Sequence, residues 1–191
     1  MNKKTVIIVV VAILATAIVV GGGVYFLTNK NKTSTSTTSS NTTTSNNSNK
    51  AKSGNELVQS VLDTVKAKVP TVQQTRVYTE STDGNNMLNK QGSYQYAGSF
   101  YDTRTNYQPS VEFDGSTDIT KANYGVSAGG VIEVFANNVD AKKRYDYIQA
   151  IGSSIGAPEG DRLVNNVVLR VSENYTASQQ KEMLDLMQGA L

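Results

Sequence analysis

Residues 5–27 form an unbroken run of twenty-three positions without a charged side chain. As a helix rising about 1.5 Å per residue, the run reaches about 34 Å, enough to cross a hydrocarbon core of about 30 Å. Lys3 and Lys4 precede it, and Tyr25 and Phe26 fall where an interfacial aromatic belt lies. The pattern then changes abruptly. Residues 28–54 are mostly Ser, Thr and Asn with scattered lysines and no apolar periodicity, which predicts a flexible stalk that buries no core. From 55 to 191 apolar positions recur at helix or strand spacing, so one folded domain is expected there.

Within that domain, Ser53 and Glu56 stand at capping-box spacing. Leu57, Val58, Val61, Leu62, Val65 and Val69 then share one helical face until Pro70 stops the helix. Residues 75–82 and 93–101 read as strands around an Asp-Gly-Asn-Asn loop at 83–86. Residues 106–129, rich in Gly, Ser, Asp and Asn, read as a long connection. Val131 to Phe135 is the clearest core strand. Asn138 is the expected cap of a helix with Ala141, Tyr145, Ile148 and Ile151 on its apolar face, ending at Gly152. Residues 161–172 read as another strand, with Asn165-Asn166 as a bulge or a tight turn splitting it. Thr176 and Gln179 box the last helix, whose apolar face is Met183, Leu184, Met187 and Leu191. The order predicts an α+β domain, a mainly antiparallel sheet with three helices packed on one face.

Two readings of the N-terminal run stay open. Ala15-Thr16-Ala17 offers a signal-peptidase site, which gives a cleaved signal peptide. The apolar run continues ten residues beyond it, which favours an uncleaved signal anchor. Lysines flank both ends, so the positive-inside rule gives almost a tie. The hydroxyl-rich stalk argues for residues 1–4 inside and the domain outside. Its random-coil reach is roughly 28 Å, enough to clear headgroups.

Charge sharpens this division. Six of the eighteen basic residues lie before position 53 and all sixteen acids after it, so the domain carries twelve basic against sixteen acidic residues, a net of −4. An acidic domain is a poor match for nucleic acid, which needs a basic face. The expected partners are the lipid bilayer, through 5–27, and a protein, peptide or glycan at the cell surface. With no Cys and no His, disulfides, thiolate nucleophiles, Ser-His-Asp triads and zinc sites of the usual ligands are excluded. No cofactor or metal is expected, and no catalytic motif stands out.

The best candidate binding surface is an aromatic set, Tyr94, Tyr96, Phe100, Tyr101, Tyr107, Phe113 and Tyr124, because tyrosines give large contact area with few rotors. Alternating tyrosines on a strand are equally explained by core and cross-strand packing. Asp102 with Arg104 joins the candidate set as a polar pair on one strand face. Glu133 and Arg170 can pair across neighbouring strands. Both pairs are more simply structural ion pairs. Asp83, Asn85 and Asn86, or Asp114 and Asp118, offer oxygens to a cation, but turn chemistry accounts for them without one. Lys142-Lys143-Arg144 reads as a solvated helix turn.

Read in order, the motifs are Asp83-Gly84-Asn85-Asn86-Met87-Leu88, Tyr101-Asp102-Thr103-Arg104, a Gly129-to-Phe135 segment, an Asp140-to-Ile148 helix, an Asn166-to-Ser172 strand and a Thr176-x-x-Gln179 helix. This order resembles small extracytoplasmic domains of Gram-positive lipoproteins and membrane-anchored proteins. The resemblance implies one fold unit and an extracytoplasmic setting. It carries no established activity and no catalytic residue. Where such proteins commonly carry a lipid-modified Cys, this chain has the apolar run. The expected function is a membrane-anchored, non-enzymatic binding or accessory module at the bacterial cell surface. The alternatives are a small envelope hydrolase using Asp/Glu chemistry, or a passive surface spacer.

Overall fold

The computed structural model describes residues 53–108, 124–156 and 158–191. The elements, in chain order, are α1 (Gly54–Lys68), β1 (Val72–Val77), β2 (Tyr94–Asp102), β3 (Gly129–Phe135), α2 (Asn138–Ile155), β4 (Gly160–Val164), β5 (Val167–Val171) and α3 (Ala177–Gln188). Short 3₁₀ turns at Thr103–Thr105 and Val126–Ala128 flank the long β2–β3 connection. Every ladder is antiparallel, and the strand order is β1-β2-β3-β5-β4. The expected α+β class, antiparallel sheet and three helices are therefore present.

The helices do not share one face. Helices α1 and α3 cover one side, where Val58, Val61, Leu62 and Val65 of α1 meet Phe100, Ile132, Leu169, Met183 and Met187. Helix α2 lies on the other side, where Ala141 and Ile148 meet Tyr94, Ala97, Phe135 and Val168. The physical reason is visible in β3, which is buried at every position from Gly129 to Phe135. A strand covered on both faces reads as a nearly continuous apolar run rather than an alternation, and Val131, Ile132, Val134 and Phe135 make such a run, interrupted only by Glu133. Helix α1 sits close to β2 because Gly98 leaves room for it. A Cβ there would stand 2.8 Å from Val58 Cγ1 and 2.9 Å from Leu62 Cδ1.

Both expected capping boxes form, Ser53 with Glu56 and Thr176 with Gln179. Helix α1 ends at Lys68 with Val69 already extended, as the steric clash before Pro70 requires. Three boundaries shift from the sequence reading. The first strand begins at Val72, earlier than expected. Asn137, not Asn138, caps α2 through a hydrogen bond from the Asp140 amide. That helix also passes through Gly152 to Ile155, and Gly156 closes it at φ 67°. Asn165 and Asn166 form a tight turn, not a bulge, and Asn165 adopts φ 52°. Asn166 ties the turn to β3 by donating to the Phe135 carbonyl at 2.6 Å.

No helix among the described residues is long and apolar enough to cross a membrane. The 5–27 run and most of the 28–54 stalk lie outside the described residues, as do Phe113, Asp114 and Asp118.

Candidate functional site

The structure distributes the aromatic set over both faces of the sheet. Tyr94 is buried in the α2-side core, edge-on to Phe135 at 6.2 Å. Tyr96 and Phe100 pack on the opposite, α1 side. Tyr101 is half-buried and lies 6.4 Å from the buried ring of Tyr124, over which the Arg76 guanidinium sits at 4.9 Å. Tyr107 is half-buried just beyond the Thr103–Thr105 turn. The set is not brought together as one continuous exposed surface. A bulge between Tyr94 and Tyr96 is what sends these two rings to opposite faces.

Asp102 and Arg104 do meet, although Arg104 stands on the 3₁₀ turn and not on the strand. The Asp102 side chain is fully buried, and its Oδ2 accepts from Arg104 Nε at 2.9 Å and from the Tyr175 hydroxyl at 2.7 Å. Its Oδ1 accepts from the Arg104 amide at 2.9 Å. Burial pushes this carboxyl up, but the hydrogen bonds from Arg104 and Tyr175 outweigh it and hold it below the usual range. Arg104 continues to Glu182 and to Met183 Sδ on α3. This cluster fastens the end of β2 to α3.

A larger charged cluster lies between the sheet and α2. Glu133 of β3 is 1% exposed. Its Oε1 accepts from Arg170 Nη1 and Arg144 Nη2, each at 2.9 Å, and its Oε2 accepts from Arg144 Nε at 3.0 Å. Burial opposes ionisation of Glu133, yet the two guanidinium groups hold it well below the usual carboxylate range. Arg170 also grips Glu159 with both Nε and Nη2 at 2.9 Å. The expected Glu133–Arg170 pair is present, diagonal across β3 and β5. Arg144 is a correction, because it is half-buried and paired with Glu133 where Lys142 and Lys143 are exposed. It lies on the Ala141–Ile148 stripe at i+3, so helical spacing alone placed it toward the sheet.

Beside this cluster opens a cleft of about 100 Å³ lined by Arg144, Tyr147, Ile151, Glu159 and Arg170. Tyr147 stands at its edge, 43% exposed. Asp161 of β4 adds a further carboxyl nearby. Its Oδ2 accepts from Gln149 Nε2 at 2.9 Å, while its buried Oδ1 has no hydrogen-bond partner. Burial, reinforced by the negative charge of Glu159, pushes Asp161 up to about 7. Asp161 does not itself line the cleft, but a strongly shifted carboxyl beside one makes this region a site candidate among the described residues. Sequence reasoning missed Asp161 and Glu159 because their surroundings come from residues distant along the chain.

The Asp83 loop serves its own geometry. The Asp83 carboxylate accepts from the amides of Met87 and Leu88, each at 2.7 Å, from the Asn85 amide at 3.1 Å and from the Tyr94 hydroxyl at 2.8 Å. Those bonds use the oxygens that a cation would need. Among the described residues, no group of three or more His, Cys, Asp or Glu side chains is placed to hold a metal ion.

Compared with protein-family models, curated proteins and solved structures, the chain gives no match in any of the three.

Proposed function

We propose that the protein is anchored in the membrane by residues 5–27 and carries its α+β domain outside the cell on the 28–54 stalk. The domain acts there as a non-enzymatic binding or accessory module at the bacterial surface. The observation that carries the reading is the uncharged run itself, whose length matches a bilayer, followed at once by a spacer without a core. Binding is favoured over catalysis because Asp102 and Glu133, the most deeply buried carboxylates, are saturated by arginine and tyrosine donors. The partner is a protein, peptide or glycan of the envelope. Tyr101 and Tyr107, both partly accessible, are the contacts proposed for it, while Tyr96 and Arg104 pack toward α1 and α3 and Tyr94, Asp102 and Tyr124 hold the fold.

A second reading, an envelope hydrolase, rests on Asp161, whose raised carboxyl is a suitable proton carrier near neutral pH. Protease shaving of intact cells that express a C-terminally tagged copy tests the first reading. Loss of the tag from intact cells, with the full-length chain in the membrane fraction beforehand, is the expected result. Protection until lysis would overturn it.

A further inference from the structure

The cluster under α2 holds more carboxylates than cations. Facing Asp161 are Glu133 from β3, Arg170 from β5, Glu159 from the segment entering β4, and Arg144 and Gln149 from α2. Glu173, just beyond β5, adds negative charge against Glu159 and accepts from the Ser127 hydroxyl. Both guanidiniums are committed, Arg144 to Glu133 and Arg170 to Glu133 and Glu159. Arg162, the nearest cation along the chain, turns to the other face, where it meets Asp185 and Gln188. Asp161 thus makes no ion pair of its own, although the charges of Arg170 and Arg144 reach it. Its one hydrogen bond comes from a neutral amide on α2.

That helix is held unevenly. Ala141 and Ile148 are buried against the sheet, but no described side chain of α2 beyond Ile148 is buried. Gln149, Ala150, Ser153 and Ser154 are exposed, and Ile151 and Gly152 are half-buried. A segment with so little buried apolar surface opens at low free-energy cost. We propose that Asp161 is a proton-controlled latch: neutral, it lets the last turns of α2 lie on β4, and ionised, it releases them and widens the cleft beside Tyr147.

The direction follows from the cluster. Ionisation places an uncompensated charge in a desolvated site that already holds Glu133 and Glu159. The carboxyl is raised by burial to about 7, so the latch works across neutral pH. It is closed on the acid side and loosened on the alkaline side.

Amide hydrogen exchange of the full-length protein tests this, with rates corrected for intrinsic exchange at pH 5.5 and 8.5. Protection of residues 149–155 is expected to fall about tenfold or more at the higher pH, the equivalent of one pKa unit of coupling. Asp161→Asn, neutral at both pH values, is expected to keep the acidic level of protection throughout. Equal protection of this segment at both pH values, the same loss in D161N, or a loss spread evenly over the sheet would each overturn the proposal. If D161N does not fold, a carbon-13 titration of the Asp161 carboxyl in the unaltered chain decides. A midpoint that coincides with the pH at which residues 149–155 lose protection supports the latch, and a midpoint that does not coincide with it overturns it.

Discussion

Glu133 is the residue on which the α2 side of the sheet turns. It sits inside a strand that is buried at every position, and it is tolerated there because two arginines deliver three hydrogen bonds to its two oxygens. Replacing the pair by apolar residues of matched volume is often harmless, but removing one member strands the others. Glu133→Gln leaves Arg144 without its only carboxylate and Arg170 with Glu159 alone. The expected loss of stability is about 3 kcal/mol, read as a lower urea midpoint at unchanged slope. Asp83 shows the same logic with backbone donors. Its carboxylate gathers three amides of its own loop and one tyrosine hydroxyl, and so converts a run of polar residues into a fixed corner.

Among the elements, the helices owe their ends to local chemistry. In α3 the Thr176 hydroxyl accepts from the Gln179 amide at 3.3 Å while the Gln179 side chain accepts from the Thr176 amide at 2.9 Å. Thr176→Ala is expected to cost about 1 kcal/mol. Calorimetry should record this as a fall in Tm of about 3 °C for a domain of this size. The β4–β5 hairpin is likewise local in origin. Asn165 accepts the left-handed conformation at low cost, so Asn-Asn marked the irregularity in 161–172, and the structure makes it a turn rather than a bulge. The placement of α2 was not. Its stripe of Ala141, Ile148 and Ile151 shows that the helix packs on something, without saying on which side of the sheet.

For the whole molecule, the buried carboxyls pull the pH dependence of stability in two directions. Glu133 and Asp102 are held low in the folded state, so the stability they add is present above their unfolded values and is lost as pH falls through the folded ones. Asp161 is raised, so its contribution is greatest below its unfolded value of about 4 and is lost as pH climbs through about 7. Stability is therefore expected to peak on the mildly acidic side, at about pH 4–5, and to decline on both sides. Denaturant titrations across about pH 2–9 will show it, and D161N should shrink the alkaline limb to the part that the raised Glu159 carboxyl contributes. A profile rising steadily from acid to pH 8 would contradict the burial argument.

The sequence by itself determined the features that neighbours along the chain decide. These are the two capping boxes, the stop at Pro70, the apolar faces of α1 and α3 and the α+β class. Each depends on contacts within a few residues, so periodicity and capping chemistry reach it. The Glu133–Arg170 pair was legible for a related reason, since opposite charges on two core strands have few other places to go. Only the tertiary structure decided that the tyrosines divide between two cores, because one bulge reverses every side chain beyond it. It alone decided that α2 crosses to the second face, bringing Arg144 onto the buried Glu133. And it alone gave Asp161 its raised carboxyl, since desolvation is set by side chains that the chain brings together from β3, α2, β4 and β5.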